Sequence, residues 1–264
     1  MKNEMKKVAF STGAFYTYET LDAVNKLHKA GFSHMELMPQ CHKDLSLETL
    51  VEIKKLGMHV SSIHYPLVFF GILYNANPEM AKESREFSDN LAKFAKEAGT
   101  EFVVIHPEEE YSGVYVDLCA KPIRKNIEYL AAALEKVGVT LAMENHPTGV
   151  GRYPDTLQEY VRKIGIKNMK IMVDTTEVIE GGGDPIEFIR ALDEAPCHLH
   201  LSDFGNGSKH LPIGTGDIDW KTLFKLLKEK GYSGYYTLEP SYKYYLTGVD
   251  DQLRKDYEFI TSLV

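Results

Sequence analysis

The sequence predicts an α/β protein, a single-domain (β/α)8 TIM barrel that spans residues 1–264. A chain of 264 residues is a natural length for one such barrel. Short apolar or β-branched runs alternate about eight times with amphipathic stretches. This alternation implies parallel strands, because each helix must return the chain over the sheet. No GxGxxG motif follows the first strand, which argues against a dinucleotide-binding fold.

Eight strands are predicted from runs that favour extended structure, each bounded by turn or helix signals. In order along the chain they are 6–12, 33–38, 59–65, 101–106, 140–145, 169–174, 197–203 and 234–239. Between them, apolar residues recur at three- and four-residue spacing, as at Leu223, Leu226 and Leu227, which is typical of amphipathic helices. Several helices are followed by a glycine just before the next strand, such as Gly31 or Gly99, and we expect a left-handed helix end there.

Composition excludes several classes of protein. The 30 basic and 38 acidic residues give a net charge of −8, which repels nucleic acid, and no basic patch overrides it. No run approaches the roughly 18 apolar residues of a membrane helix, and residues 1–10 do not form a signal peptide. The three cysteines are widely separated, which fits a reducing compartment. We therefore expect a cytoplasmic protein with a small-molecule substrate, and homo-oligomerisation stays open.

Ionisable side chains stand at the carboxyl ends of six consecutive predicted strands. In order they are His64, His106, Glu144, Asp174, His198 with His200, and Glu239. In a barrel these ends meet at the mouth, where active sites assemble. Because converging buried carboxylates repel one another, a divalent cation is the simplest counter-ion. We predict that Glu144, Asp174, His200 and Glu239 bind it, and this oxygen-rich set suits Mn²⁺, Mg²⁺, Co²⁺ or Zn²⁺.

Other polar residues near the mouth are expected to contact the substrate. His64 and His106 are assigned to substrate hydrogen bonding, with binding of a second metal as the alternative. Glu36, at the end of the second strand, is predicted to accept a substrate hydroxyl. His198 is interpreted as a supporting histidine. The loop over residues 65–79 is unusually apolar, which predicts either a lid over the substrate or a subunit contact.

Six segments carry a family resemblance through their order and spacing. They are VVIHP (103–107), LAMEN (141–145), MVDTTE (172–177), HLHLSDF (198–204), HLPIGTGDIDW (210–220) and YYTLEP (235–240). Together they resemble the xylose isomerase-like TIM barrel superfamily, which includes ketose 3-epimerases, inosose dehydratases and endonuclease IV. The resemblance implies that Glu144, Asp174, His200 and Glu239 hold the metal. It also implies that Glu144 and Glu239 move protons on opposite faces of a sugar.

The sequence departs from the ketose 3-epimerase pattern where those enzymes grip substrate oxygens. Glu177 replaces a histidine, and Lys209 with His210 stands where an arginine is usual. Glu177 and His210 are therefore assigned to substrate binding, and the particular sugar stays open. We expect a metal-dependent sugar isomerase or epimerase that transfers a proton next to a carbonyl. A dehydratase of the inosose type is one alternative.

An endonuclease IV-like phosphodiesterase is the other alternative. Its zinc ligands would correspond to seven residues of this chain, namely His64, His106, Glu144, Asp174, His200, His210 and Glu239. Glu177 and Ser208 replace two further ligands, so the third zinc site would be incomplete. Together with the net charge of −8, this departure argues against action on DNA.

Overall fold

Parallel pairing of neighbouring strands builds the central sheet. In the computed structural model, which describes residues 7–264, the sheet strands are β1 Val8–Ser11, β2 His34–Leu37, β3 His59–His64, β4 Phe102–Ile105, β5 Thr140–Met143, β6 Met169–Ile171, β7 Val173–Asp174, β8 Leu199–Leu201 and β11 Tyr236–Leu238. The strand order is β6-β5-β4-β3-β2-β1-β11-β8-β7, and every pair is parallel. The first predicted strand began at Lys6, which lies outside the described residues.

The ring closes through the sixth predicted strand. Residues 169–174 were predicted as one strand, but the structure divides them at Met172 into β6, which pairs with β5, and β7, which pairs with β8. The hydrogen bonding changes partner there: Met172 N donates to Met143 O at 3.0 Å, whereas Val173 N donates to His198 O at 3.2 Å. Both ends of the strand order therefore belong to one chain segment. The predicted (β/α)8 barrel is confirmed.

Ten α-helices lie among the described residues. They are α1 Thr20–Ala30, α2 Leu47–Lys55, α3 Phe70–Leu73, α4 Pro78–Ala98, α5 Lys121–Glu135, α6 Pro154–Ile164, α7 Thr175–Glu180, α8 Pro185–Ala191, α9 Trp220–Glu229 and α10 Val249–Leu263. Gly31 and Gly99 follow α1 and α4 with φ of 108° and 75°, as predicted. Over residues 7–264, none of the helices combines the length and apolarity that crossing a bilayer demands.

Strand alternation separates the apolar interior of the barrel from its polar mouth. Val104, Ala142 and Met172 form a buried cluster with the partly buried Phe102. Because side chains two positions apart share a strand face, the residues that follow these three by two positions point into the same space at the mouth. Those residues are His106, Glu144 and Asp174. These buried residues thus form an apolar layer beneath the ionisable groups.

A hairpin after β8 corrects the predicted seventh strand. Residues 197–203 were predicted as one strand, but β8 ends at Leu201. The chain then forms two antiparallel strands, β9 Asp203–Gly205 and β10 Ser208–Leu211. Asn206 and Gly207 connect them with φ of 51° and 73°, because Asn-Gly tolerates the left-handed backbone of a tight hairpin. The hairpin carries His210 back toward the mouth.

One buried carboxylate holds the segment between this hairpin and α9. Asp203 accepts hydrogen bonds from Gly214 N at 2.9 Å, Ile218 N at 3.2 Å and Trp220 Nε1 at 2.9 Å.

An alanine at position 203 would leave these donors unpaired. We expect Asp203→Ala to lower the free energy of unfolding by about 3 kcal/mol, as measured by urea denaturation with circular dichroism. The control is Asp193→Ala, which removes an exposed ion pair with Arg162; equal losses in both variants would contradict the assignment.

Candidate metal centre

Four side chains from consecutive positions around the ring converge at the mouth of the barrel. Glu144 follows β5, Asp174 ends β7, His200 lies in β8 and Glu239 follows β11. Each offers one ligand atom, and these atoms all lie within 4.8 Å of one another. The structure thus brings together the four residues that were predicted to bind the metal.

His200 lies at the middle of this group. Its Nδ1 is 2.9 Å from Glu144 Oε1 and 2.7 Å from Glu239 Oε2, and its Nε2 is 3.0 Å from Glu36 Oε2. Burial lowers the pKa of His200, but the surrounding carboxylates of Glu239, Glu36 and Glu144 raise it more, so the pKa lies well above its usual value. The imidazolium therefore supplies a positive charge that the carboxylates require.

Asp174 provides the test of whether a cation fits here. The side chain is fully buried, and its Oδ1 caps α7 by accepting from Thr176 N at 2.7 Å and Glu177 N at 2.8 Å. Its Oδ2 is buried without a hydrogen-bond partner. Burial raises the pKa of Asp174 to about 7, against the attraction of His210 and with repulsion from Glu144. A divalent cation would pair the free oxygen and offset this burial, so the donor set fits a metal.

Glu144 connects the four-residue group to a second one. His106 Nε2 lies 2.9 Å and His64 Nε2 lies 3.6 Å from Glu144 Oε2. Burial raises the pKa of Glu144, but His200 and His106 lower it more, so the group is a carboxylate at neutral pH. Burial lowers the pKa of His64, but Glu144 and Glu239 raise it to about 9. His64, His106 and Glu144 also have ligand atoms within 4.8 Å of one another. This geometry is compatible with either role predicted for the two histidines, which are substrate hydrogen bonding and binding of a second metal.

The position of Glu36 differs from the prediction. We predicted that it accepts a substrate hydroxyl, but it is 0% exposed and lies beneath His200, with its Oε2 also 3.2 Å from His198 Nε2. Glu36 lies within β2, and its carboxylate reaches His200 Nε2, whereas Glu144 and Glu239 reach Nδ1 of the same ring. This geometry fits a residue that orients His200.

Glu177 and His210 stand at the side of the mouth. His210 Nε2 is 3.4 Å from Glu177 Oε1, and its Nδ1 is 3.0 Å from Thr176 Oγ1. Burial lowers the pKa of His210, but Glu177 and Asp174 raise it to about 9. Both side chains line a cavity of about 250 Å³ above the four-residue group, together with Met38 and Tyr242.

Two residues that contact this group were not predicted from the sequence. Ser11 Oγ donates to Glu239 Oε1 at 3.3 Å, and Asn145 accepts from Asp174 N at 2.7 Å. Asn145 could have been found, because it directly follows Glu144 at the end of β5. A lone serine at a strand end carries no such signal.

Comparisons with known proteins identify the family of this chain. Residues 24–263 match the family model described as xylose isomerase-like TIM barrel. An uncharacterized protein of Methanocaldococcus jannaschii is 30% identical over 172 residues, which are 62% of this chain and 58% of that protein. A D-psicose 3-epimerase of Enterocloster bolteae is 29% identical over 119 residues, 44% of this chain and 38% of that protein. The matches therefore cover less than two thirds of either relative.

Solved structures share the fold over nearly the whole chain. The crystal structure of a D-tagatose 3-epimerase-like protein superposes with a TM-score of 0.78 at 24% identity, covering 97% of this chain and 96% of that one. The resemblance found in the sequence segments is confirmed at the level of the family and the fold.

The contact between Glu36 and His200 predicts an effect on metal affinity. The carboxylate fixes the ring, so that Nδ1 faces the other ligands. We expect Glu36→Gln to weaken Mn²⁺ binding by about 10- to 100-fold, as measured by isothermal titration calorimetry. The matched control is Glu101→Gln, which lies at the amino end of β4, away from the mouth of the barrel, and should leave the affinity unchanged. Equal affinities of the Glu36 variant and the wild type would overturn this role.

The raised pKa values predict that metal binding depends on pH. Metal binding must displace a proton from His200. When the pH is below the Asp174 pKa of about 7, binding must also displace the proton of Asp174. Metal affinity should therefore rise between about pH 6 and about pH 8. Titrations in two buffers of different ionisation enthalpy would measure the protons released. An affinity that is flat over this range would contradict the protonation states given above.

Proposed function

This chain belongs to the xylose isomerase-like TIM barrel family, and on that premise we propose that it is a divalent-metal-dependent sugar isomerase or epimerase. The reaction would transfer a proton at a carbon next to the carbonyl of a ketose or related polyol. Glu144, Asp174, His200 and Glu239 would hold the metal. When bound, the cation would acidify the C–H bond by withdrawing charge from the neighbouring oxygens of the sugar.

The observation that carries the proposal is the position of the two glutamates. Glu144 and Glu239 flank Asp174 and His200, because β5 and β11 lie on either side of β7 and β8 in the ring. Both carboxylates reach the same atom, His200 Nδ1, at 2.9 Å and 2.7 Å. A sugar carbon above this atom would thus have one carboxylate on each side. Such an arrangement suits removal of a proton by one group and its return by the other.

Glu144 is in the protonation state that a base requires. Its pKa is lowered by His200 and His106, so it is ionised at neutral pH, and only the ionised carboxylate can accept the proton. Glu239 is partly exposed, with 14% of its side chain accessible, and Ser11 holds one of its oxygens. Its other oxygen is directed at the centre. Which glutamate acts first would depend on the configuration of the sugar carbon.

The remaining residues of the mouth would bind and orient the sugar. His64 and His106 present imidazoles on the Glu144 side, and His210 with Glu177 presents polar atoms on the Asp174 side. Met38, Leu67 and Pro240 also line the cavity, and their apolar surfaces would limit access of water to the reacting carbon. Hydroxyl groups along the sugar would therefore meet polar partners on two sides.

Solvent exchange tests the role of the two glutamates. The Mn²⁺-loaded protein should exchange a C–H proton of a ketose for deuterium in heavy water, as followed by NMR over a panel of ketoses that includes D-fructose. Glu144→Gln and Glu239→Gln should each slow the exchange by at least about 100-fold. Glu180→Gln is the control, because Glu180 is an acidic residue of α7 that pairs with Lys209 outside the cavity. Full exchange in either site variant would exclude the two-carboxylate mechanism.

A further inference from the structure

A second, larger cavity lies beside the candidate centre. We propose that it binds a neutral sugar ring attached to the reacting ketose, so that the substrate is an unphosphorylated glycosyl-ketose. The inference rests on the proposed function, whose substrate class it specifies. We call this space the outer cavity, and the space above Glu144 and Glu239 the inner cavity.

The outer cavity is built by the three loops that follow β3, β4 and β5. Its volume is about 720 Å³, compared with about 250 Å³ for the inner cavity. Small-molecule sites usually enclose about 300–1,000 Å³. The inner cavity is thus small for a complete ligand site, whereas the two cavities together would hold a molecule of two rings.

His106 connects the two cavities, because it lines both. On the inner side, its Nε2 is 2.9 Å from Glu144 Oε2. On the outer side, its ring centroid is 5.4 Å from that of Phe70 and 5.7 Å from that of His146, and both of these residues line the outer cavity. A ligand that passes His106 would therefore have one end at the candidate centre and the other end in the outer cavity.

The walls of the outer cavity suit a sugar ring. Phe70, Tyr74 and Tyr111 supply aromatic surface, and Ile123 and Val150 supply aliphatic surface. The Tyr74 hydroxyl donates to His106 O at 2.5 Å, which joins the loop after β3 to the loop after β4. Aromatic faces pack on the C–H surface of sugars, while the acidic side chains at the rim can accept their hydroxyl protons. These features together favour a neutral, hydroxyl-bearing ring.

The charge of the lining argues against a phosphate group. Over the described part of the chain, no residue that lines either cavity is Lys or Arg. The outer cavity instead carries Glu108, Glu109 and Glu110. The nearby Arg124 is engaged, with its Nη2 2.7 Å from Glu108 Oε1. A phosphate here would therefore meet three carboxylates, with the imidazoles of His106 and His146 but no free Lys or Arg among the described lining residues.

The imidazoles of the inner cavity do not alter this conclusion. His64 and His106 face Glu144, and His210 faces Glu177. Each of these rings already has an acidic partner. A phosphorylated sugar would have to compete with those carboxylates, whereas a neutral glycosyl group would not.

Gly71 allows the outer cavity to be filled without disturbing the fold. It lies in α3 and lines the outer cavity, and a Cβ added there would meet no atom within 4 Å. Gly71→Phe would therefore place a ring where the second sugar is expected. Val68→Phe adds a similar ring to the same loop at a position that is 57% exposed and lies outside the lining of both cavities, so it is the matched control.

The test compares binding of four sugars to the Mn²⁺-loaded protein by isothermal titration calorimetry. The sugars are D-fructose, D-fructose 6-phosphate, and two glycosyl-ketoses, isomaltulose and lactulose. We expect at least one glycosyl-ketose to bind about tenfold more tightly than D-fructose, and the phosphorylated sugar to bind most weakly. In Gly71→Phe this ratio should fall toward one, and in Val68→Phe it should persist.

Three results would overturn the proposal: neither glycosyl-ketose binds more tightly than D-fructose, the phosphorylated sugar binds most tightly, or the advantage survives Gly71→Phe. The readout is binding, so it is independent of proton exchange. If the expected pattern appears but no sugar exchanges its C–H proton, the proposed reaction fails and the outer site stands. If D-fructose exchanges but glycosyl-ketoses bind no better, the outer site fails and the reaction stands.

Discussion

The mutual repulsion of buried carboxylates around His200 is the constraint on which the candidate centre depends. Glu36, Glu144 and Glu239 all lie within 3.0 Å of one of its two ring nitrogens. Two of these acidic groups are fully or almost fully buried, and Asp174 adds a further buried one. Ionised groups are stable in such surroundings only when opposite charge is present. The strongly raised pKa of His200 and the raised pKa of Asp174 are two responses to the same excess of negative charge.

The barrel makes this crowding unavoidable. Parallel strands place their carboxyl ends at one rim, and the period of two along each strand directs residues such as Glu144 and Asp174 inward above Ala142 and Met172. Val104, Ala142 and Met172 form a buried apolar layer below these groups. Asp174 ends a strand and caps α7 with the same side chain, so only one of its oxygens is left for a cation.

Much of this arrangement could be predicted from the sequence. The strand-end positions of Glu144, Asp174 and Glu239 followed from counting repeating units, because a closed barrel fixes where strand ends lie. The burial of Glu36 could not be predicted in the same way, since its contacts with His198 and His200 depend on how the strands face one another across the barrel. The division of residues 169–174 at Met172 was also missed, because it depends on the hydrogen-bonding partners of two neighbouring strands. The turn at Asn206 and Gly207 was predictable, because Asn-Gly is a strong hairpin signal in a sequence.

The outer cavity and the candidate centre draw on different parts of the fold. The ligand-type residues stand on strands whose positions are fixed by the barrel, whereas the outer walls come from loops after β3, β4 and β5. Insertions and exchanges accumulate more easily in such loops than in the sheet. If the outer cavity binds a substituent of the substrate, changes in a few loop residues would alter which substituent binds without moving the carboxylates at the strand ends. Related barrels would in this way differ in substrate specificity while they keep the same reaction.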